Sequence, residues 1–133
     1  MKKQLRVLIV DDQARTRQSL RALLATYNEI AEIQEAKNGL EALQRIDEYS
    51  PDVVFMDVRM PGLDGVNATQ LIKQHAPRVK VIVISMYPDY ATGALASGAD
   101  ALICKGDPPE KLLGTLASII AEIKRQQNQT NRG

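Results

Sequence analysis

The chain has 133 residues, enough for one domain with its own apolar core. Hydrophobic residues make up 44% and charged residues 25%, a globular balance that excludes disorder, collagen-like repeats and low-complexity polymers. Seventeen Lys+Arg against sixteen Asp+Glu leave a net charge of +1, and aromatics are only 4% with no Trp, which argues against direct binding to nucleic acid or an anionic membrane. A single cysteine, Cys104, has no internal disulfide partner, and with a single His75 there is no Cys/His set for zinc. Met1-Lys2-Lys3 starts as a signal peptide does, but the apolar run Val7–Val10 stops at Asp11-Asp12. That is short of the roughly seven apolar residues of a secretory core and the roughly twenty of a membrane span, so the cytosol is the expected compartment.

The predicted elements alternate along the chain. Leu5–Val10 is a nearly continuous apolar run that predicts a strand buried on both faces. Leu20, Leu23, Leu24 and Tyr27 recur at helical spacing, and Ile30–Ala36 follows as a weaker strand. Asn38-Gly39 marks a turn, Val53–Met56 is the second strong strand, and Pro61-Gly62 and Asp64-Gly65 mark further turns. Ala68, Leu71, Ile72 and His75 predict a helix whose single histidine is a packed or half-exposed side chain rather than a ligand. Val81–Ile84 is the third strong strand. The Ala- and Gly-rich stretch Ala91–Gly98 reads equally as a lightly packed, mobile element or as a short, poor helix, ending in a Ser97-Gly98 turn before the weak strand Ala101–Cys104. Asp107-Pro108-Pro109-Glu110 reads as an N-cap, prolines in the first turn and a carboxylate at the third helical position. Leu112, Leu116, Ile119, Ile120 and Ile123 carry that last helix, with most of the stripe facing the sheet. Beyond it the sequence is polar and aperiodic, so residues 1–125 are expected to form the domain and 126–133 a frayed tail or the start of a linker. Five strand–helix repeats imply an α/β fold with a parallel sheet covered on both faces.

Open α/β sheets bind ligands at the carboxyl ends of their strands. The first strand runs into Asp11-Asp12, the third into Asp57, the fourth into Ser85 and the fifth into Lys105. Each has a plain structural role by itself: Asp11 or Asp12 as a helix N-cap, Asp57 as a turn former, Ser85 as nothing in particular, Lys105 as a solvated charge. Three carboxylates at one edge repel one another, however, and a fold keeps such a set where a cation sits. With Lys105 they leave a charge of about −2, which one divalent ion balances, and an all-oxygen set with room for water suits Mg²⁺. A carboxylate nucleophile, a hydroxyl and an ammonium beside Mg²⁺ suit a phosphoryl group, with Asp57 attacking.

From Val7 to about Ile123 the sequence resembles the receiver domain of two-component response regulators. The resemblance rests on Val10-Asp11-Asp12, on Met56-Asp57-Val58-Arg59-Met60-Pro61-Gly62-Leu63-Asp64-Gly65, on Val83-Ile84-Ser85 and on Cys104-Lys105, in that order and spacing. It implies a flavodoxin-like (βα)5 three-layer sandwich with strand order 2-1-3-4-5, and Asp57 as acceptor of phosphate from a sensor histidine kinase. It further implies Mg²⁺ held by Asp12 directly, by Asp11 partly through water, by Asp57 and by the backbone carbonyl of Arg59. Ser85 and Lys105 would hold the phosphoryl oxygens, while Pro61 and Gly65 are structural.

Several positions depart from the family pattern or vary within it. An aromatic switch residue is replaced by Leu102, with Tyr87 as a nearby substitute. Gly106 stands after Lys105 where many receivers have a cis-Pro, so that loop takes another shape. Arg59 and Tyr87 occupy the variable positions flanking the phosphate, where bulk would shield it from water and lengthen its life. The Arg-Met-Pro-Gly segment, the loop without Pro and the Gly98-Ala99-Asp100 turn resemble most the NarL/LuxR-type group, whose members usually continue into a helix-turn-helix DNA-binding domain and form a homodimer on phosphorylation; the polar tail at Gln126–Gly133 fits either a stand-alone receiver or a longer regulator cut at its linker. A dehalogenase-type phosphatase would place its nucleophile after the first strand in Asp-x-Asp, and a phosphorylation-independent receiver would commonly lose one of the five key residues.

Overall fold

The computed structural model describes residues 4–60, 62–86 and 91–132. Pro61 and Tyr87, both singled out above, lie outside the described residues. Strands β1 (Leu5–Val10), β2 (Ile30–Ala36), β3 (Val53–Asp57), β4 (Lys80–Ser85) and β5 (Ala101–Cys104) alternate with helices α1 (Ala14–Leu24), α2 (Gly39–Tyr49), α3 (Gly65–His75), α4 (Ala91–Ala96) and α5 (Pro109–Arg132). Every pairing is parallel, in the order β2-β1-β3-β4-β5 that the flavodoxin-like expectation required.

Side chains of a strand alternate between its faces, so a continuous apolar run feeds two cores. Val7 and Ile9 of β1, Val53 and Phe55 of β3 and Ile82 of β4 pack with Leu24 of α1 and with Leu112, Leu116, Ile119, Ile120 and Ile123 of α5. Their neighbours Leu8, Val10, Val54, Met56, Val81 and Val83 pack on the opposite face with Ala42 and Ile46 of α2, Ala68 and Ile72 of α3, and Ala94 of α4. This double burial makes a three-layer sandwich and leaves the strand ends as the place where polar groups gather. β2 is weak in sequence because it is an edge strand, with Glu32 and Glu35 facing arginines rather than a core.

Two of the expected turns are helix starts. Asn38 Oδ1 accepts a hydrogen bond from Glu41 N–H at 2.8 Å, and Asp64 Oδ1 one from Asn67 N–H at 2.8 Å, so each caps the helix that its following glycine begins. Gly98 does occupy a turn, at φ +100, a conformation that glycine adopts without strain. Asp107, expected as the N-cap of α5, does something else. Its carboxylate accepts from Cys104 N–H at 3.0 Å and its own N–H returns to Cys104 carbonyl at 3.0 Å, closing the turn after β5 without a cis peptide. The helix therefore starts at Pro109. Its far end also differs from expectation, because α5 continues to Arg132. Residues after Ile123 lack an apolar stripe but include good helix formers and no Gly or Pro before Gly133, so nothing local stops the helix. Lys124 pairs with Glu29 at 2.6 Å just past the last core contact. His75 is exposed and pairs with Asp47 of α2 at 2.9 Å.

The edge of the sheet opposite the carboxyl ends is tied by charges. Buried Lys80 reaches Glu122 of α5 at 3.0 Å, and Asp100 accepts from Lys73 Nζ at 3.0 Å and from Val81 N–H at 2.8 Å. On β2, Glu35 accepts from Arg17 at 2.8 Å and from Arg21 at 2.7 Å. Partial burial raises the Glu35 pKa, but the two guanidinium groups outweigh it and hold the carboxyl below its ordinary 4.5. A depressed carboxylate stabilises the fold above its unfolded pKa and loses that contribution as pH falls through its folded value. Glu35→Gln should therefore lower stability by about 1 kcal/mol at pH 7. Urea titrations run from pH 7 downward should show this gap closing below pH 4.5, whereas a gap independent of pH would contradict the charge-based account.

Candidate functional site

Parallel pairing brings the carboxyl ends of β1, β3, β4 and β5 to one edge. Asp57 is the last residue of β3 and Ser85 the last of β4, while Asp11 follows β1 and Lys105 follows β5. Register sets Asp57 opposite Ile84 and Ser85 opposite Cys104, and the Lys105 N–H donates to Ser85 carbonyl at 2.9 Å. Neighbouring strands thus bring the Asp57 carboxylate, the Ser85 hydroxyl and the Lys105 ammonium to one edge of the sheet.

The side chains converge. Asp11, Asp12 and Asp57 each offer a carboxylate oxygen, and these atoms lie within 4.8 Å of one another. Lys105 Nζ sits 3.2 Å from Asp11 Oδ2 and 3.2 Å from Asp57 Oδ1. Asp11, Asp57 and Ser85 are buried, at 3%, 7% and 4% exposure, whereas Asp12 is open to solvent. Neither aspartate of the pair caps α1: the residue before the helix is Gln13, and its side chain makes no capping bond. Asp11 Oδ1 instead accepts from Gln13 N–H at 2.9 Å.

Burial and charge act against each other here. Burial raises the Asp57 pKa most, the Asp11 carboxylate adds to it, and the Lys105 ammonium pulls it back without cancelling it. Burial disfavours the Lys105 ammonium as well, yet the carboxylates of Asp57 and Asp11 outweigh it and hold the lysine pKa above 10.5. Lys105 bridges Asp11 and Asp57, and the three carboxylates outnumber that ammonium in a partly dry site. A magnesium ion fits this donor set, since every donor is a hard oxygen and the open side at Asp12 leaves room for water. Asp11, Asp12 and Asp57 are the side chains that would hold it.

A cleft of about 310 Å³ opens over the cluster, lined by Asp12, Gln13, Asp57, Arg59, Ser85, Met86 and Lys105. Arg59 is exposed at its rim. Leu102 is not part of it, because its side chain packs against the core on the α2, α3 and α4 face of the sheet. Tyr87 lies outside the described residues. Two cleft residues had no signal in the sequence: Gln13, which acts through its backbone N–H, and Met86, which follows Ser85 and is exposed. A main-chain donor leaves no trace in residue type.

Gly65 supports the site from behind. A Cβ at this first residue of α3 would collide with the carbonyl oxygen of Asp57, and its N–H donates to Val58 carbonyl at 2.8 Å. Only glycine lets α3 start directly against the strand end that carries Asp57. Three outcomes are expected. Gly65→Ala should destabilise the domain by about 1–3 kcal/mol in thermal unfolding, through overpacking against backbone that has no room to yield. Asp57→Asn in metal-free buffer at pH 7 should instead raise the Tm by a few degrees, about 1 kcal/mol, because it removes a buried charge held against its own repulsion. Added Mg²⁺ should raise the Tm of the wild type more than that of the Asn variant.

Comparison with known proteins agrees with this geometry. Residues 7–117 match the family model described as response regulator receiver domain. The transcriptional regulatory protein YhcZ of Bacillus subtilis is 39% identical over 113 residues, covering 84% of this chain and 53% of that protein. This chain spans about half the length of the curated relatives it matches. Among solved structures, a two-component response regulator of the LuxR family from Aurantimonas superposes with a TM-score of 0.84 at 26% identity, over 98% of this chain and 100% of that one. The receiver domain of a response regulator designated NarL from Mycobacterium tuberculosis gives 0.80 at 26% identity, over 87% and 95%. With its matching residues, its strand order and its convergent carboxylates, the chain belongs to the response regulator receiver domains of two-component systems and is most like their NarL/LuxR-type group.

Proposed function

We propose that this domain is a phosphorylation switch in which Asp57 accepts a phosphoryl group from the phosphohistidine of a sensor histidine kinase. The observation that carries this reading is the buried Asp57 carboxylate, 3.2 Å from Lys105 Nζ and within 4.8 Å of the carboxylate oxygens of Asp11 and Asp12, at the mouth of an open cleft. In the transfer, an Asp57 oxygen attacks phosphorus, the P–N bond breaks and the imidazole leaves with the electron pair. Asp11, Asp12, Asp57 and the backbone carbonyl of Arg59 would hold Mg²⁺, which would supply charge neutralisation for the transferring oxygens. Lys105 balances charge on one side of the phosphoryl group and Ser85 donates a hydrogen bond on the other. Arg59 and Tyr87 shield the product from water, and Leu102 takes the place of an aromatic switch residue.

Phosphorylation changes Asp57 from a charge of −1 to about −2 and adds acceptor oxygens. Ser85 would swing inward and answer them with its hydroxyl. The domain is a switch rather than a turnover catalyst, because only the difference in interaction between the two states moves the population. Residues 1–125 act as the receiver unit and 126–133 lead out of it. The expected output is transcriptional, through a DNA-binding domain as in the regulators it resembles, with a homodimer forming on phosphorylation. The receiver itself contacts no nucleic acid and no membrane, and it acts in the cytoplasm; among the described residues no helix is long and apolar enough to cross a membrane.

The test is intact mass after incubation with acetyl phosphate and Mg²⁺. The wild type should gain one phosphoryl group, about 80 Da. Neither Asp57→Asn nor the wild type with EDTA should gain it. If the wild type binds Mg²⁺ and yet takes no phosphoryl group from acetyl phosphate or from a phosphorylated kinase, the domain is a phosphorylation-independent interaction module.

A further inference from the structure

The acidic pair sits in a turn that one local side-chain bond holds, from Gln13 N–H to Asp11 Oδ1 at 2.9 Å. The residue before α1, Gln13, makes no side-chain capping bond, and the first turn of α1 contains no acidic residue. One helical turn further on, Arg17 reaches back. Its Nη1 donates to the Asp11 carbonyl at 2.7 Å while its Nε donates to Glu35 Oε1 at 2.8 Å. The other Glu35 oxygen accepts from Arg21 at 2.7 Å, and Arg21 also donates to the Ile33 carbonyl at 3.0 Å. The Asp11 N–H is bound in turn to the Ala36 carbonyl at 3.1 Å. The Asp11 backbone is thus fixed on both sides by groups that belong to the end of β2 or are anchored on it.

We propose that Arg17, held by Glu35, is a positioning residue for the acidic pair: it clamps the Asp11 carbonyl and so fixes the turn that aims Asp11 and Asp12 at the cation and phosphate site. The inference rests on the functional reading above. Its physical basis is the planar guanidinium, which bonds a carboxylate and a carbonyl at once in fixed geometry, as a lysine ammonium on a flexible stem does not. Groups that orient ligands typically change metal affinity about 10–100-fold when removed. Arg21 shares the same Glu35 but bonds the backbone two residues before it, away from the site, so it separates positioning from stability.

The experiment measures Mg²⁺ affinity by isothermal titration and Tm in EDTA for the wild type, Arg17→Met, Arg17→Lys, Arg21→Met and Glu35→Gln. Arg17→Met should weaken Mg²⁺ binding about tenfold. Arg17→Lys should recover only part of that, and Glu35→Gln should give a smaller loss. Arg21→Met should lower the Tm in EDTA while leaving Mg²⁺ affinity within about twofold of wild type. In the metal-free protein, the Gln13 amide, which donates to Asp11 Oδ1, should exchange with solvent faster in Arg17→Met than in Arg21→Met. Equal Mg²⁺ affinity in wild type and Arg17→Met with a lowered Tm would overturn the inference and leave Arg17 a stability residue. Should Arg17→Met fail to fold, the Glu35→Gln and Arg17→Lys affinities decide in the same way. A wild type that binds no Mg²⁺ would overturn the functional reading itself.

Discussion

Three carboxylates gathered within 4.8 Å of one another, two of them bridged by the Lys105 ammonium, form the constraint on which this structure turns. Water would screen Asp11, Asp12 and Asp57 from one another, but Asp11 and Asp57 are buried and feel each other's charge. Lys105 spans both at 3.2 Å and offsets part of the repulsion. The remaining negative charge favours a hard divalent cation, and the proposed phosphoryl transfer rests on that preference. An arrangement that disfavours its own metal-free state is what a ligand-driven switch requires, because binding then relieves a strain already present.

The rest of the fold holds that unfavourable cluster in place. A parallel sheet packed on both faces cannot dissipate repulsion by letting one strand slide, since a slip would break the close packing of two cores at once. Asp57 and Ser85 belong to the strands themselves, so their positions are fixed by the same ladder that fixes the core. Gly65 lets α3 begin against the Asp57 carbonyl, and the charges on Lys80, Glu122, Lys73 and Asp100 tie the far edge of β4 and β5. The charged groups of β2, weak as a strand in sequence, join through Arg17 to the backbone of the site.

Much of this was legible in the residues. Continuous runs such as Leu5–Val10 can only be satisfied by burial on both faces, and five strand–helix repeats leave a parallel sheet as the simple solution. The ends of the three strong runs and of the weak run Ala101–Cys104 announced their polar groups, so Asp11, Asp12, Asp57, Ser85 and Lys105 were in view before any contact was. Local patterns misled where one residue had two uses. Asp107 has the type and spacing of an N-cap but spends its carboxylate on Cys104 N–H, and the polar stretch after Ile123 has no stripe but also no helix stop.

The sequence by itself determined the class of fold, the strands that reach the binding edge and the chemical types placed there, because hydrophobic period and residue type are local properties. Only the tertiary structure decided which of those groups touch. Lys105 lies 94 residues from Asp11 and yet bonds it at 3.2 Å, while Leu102, three residues before Lys105, turns to the core on the other side of the sheet. The tertiary structure alone also revealed the clamp of Arg17 on the Asp11 carbonyl. A hydrogen bond to a main-chain oxygen depends on where two segments meet in space, and every residue carries that same oxygen.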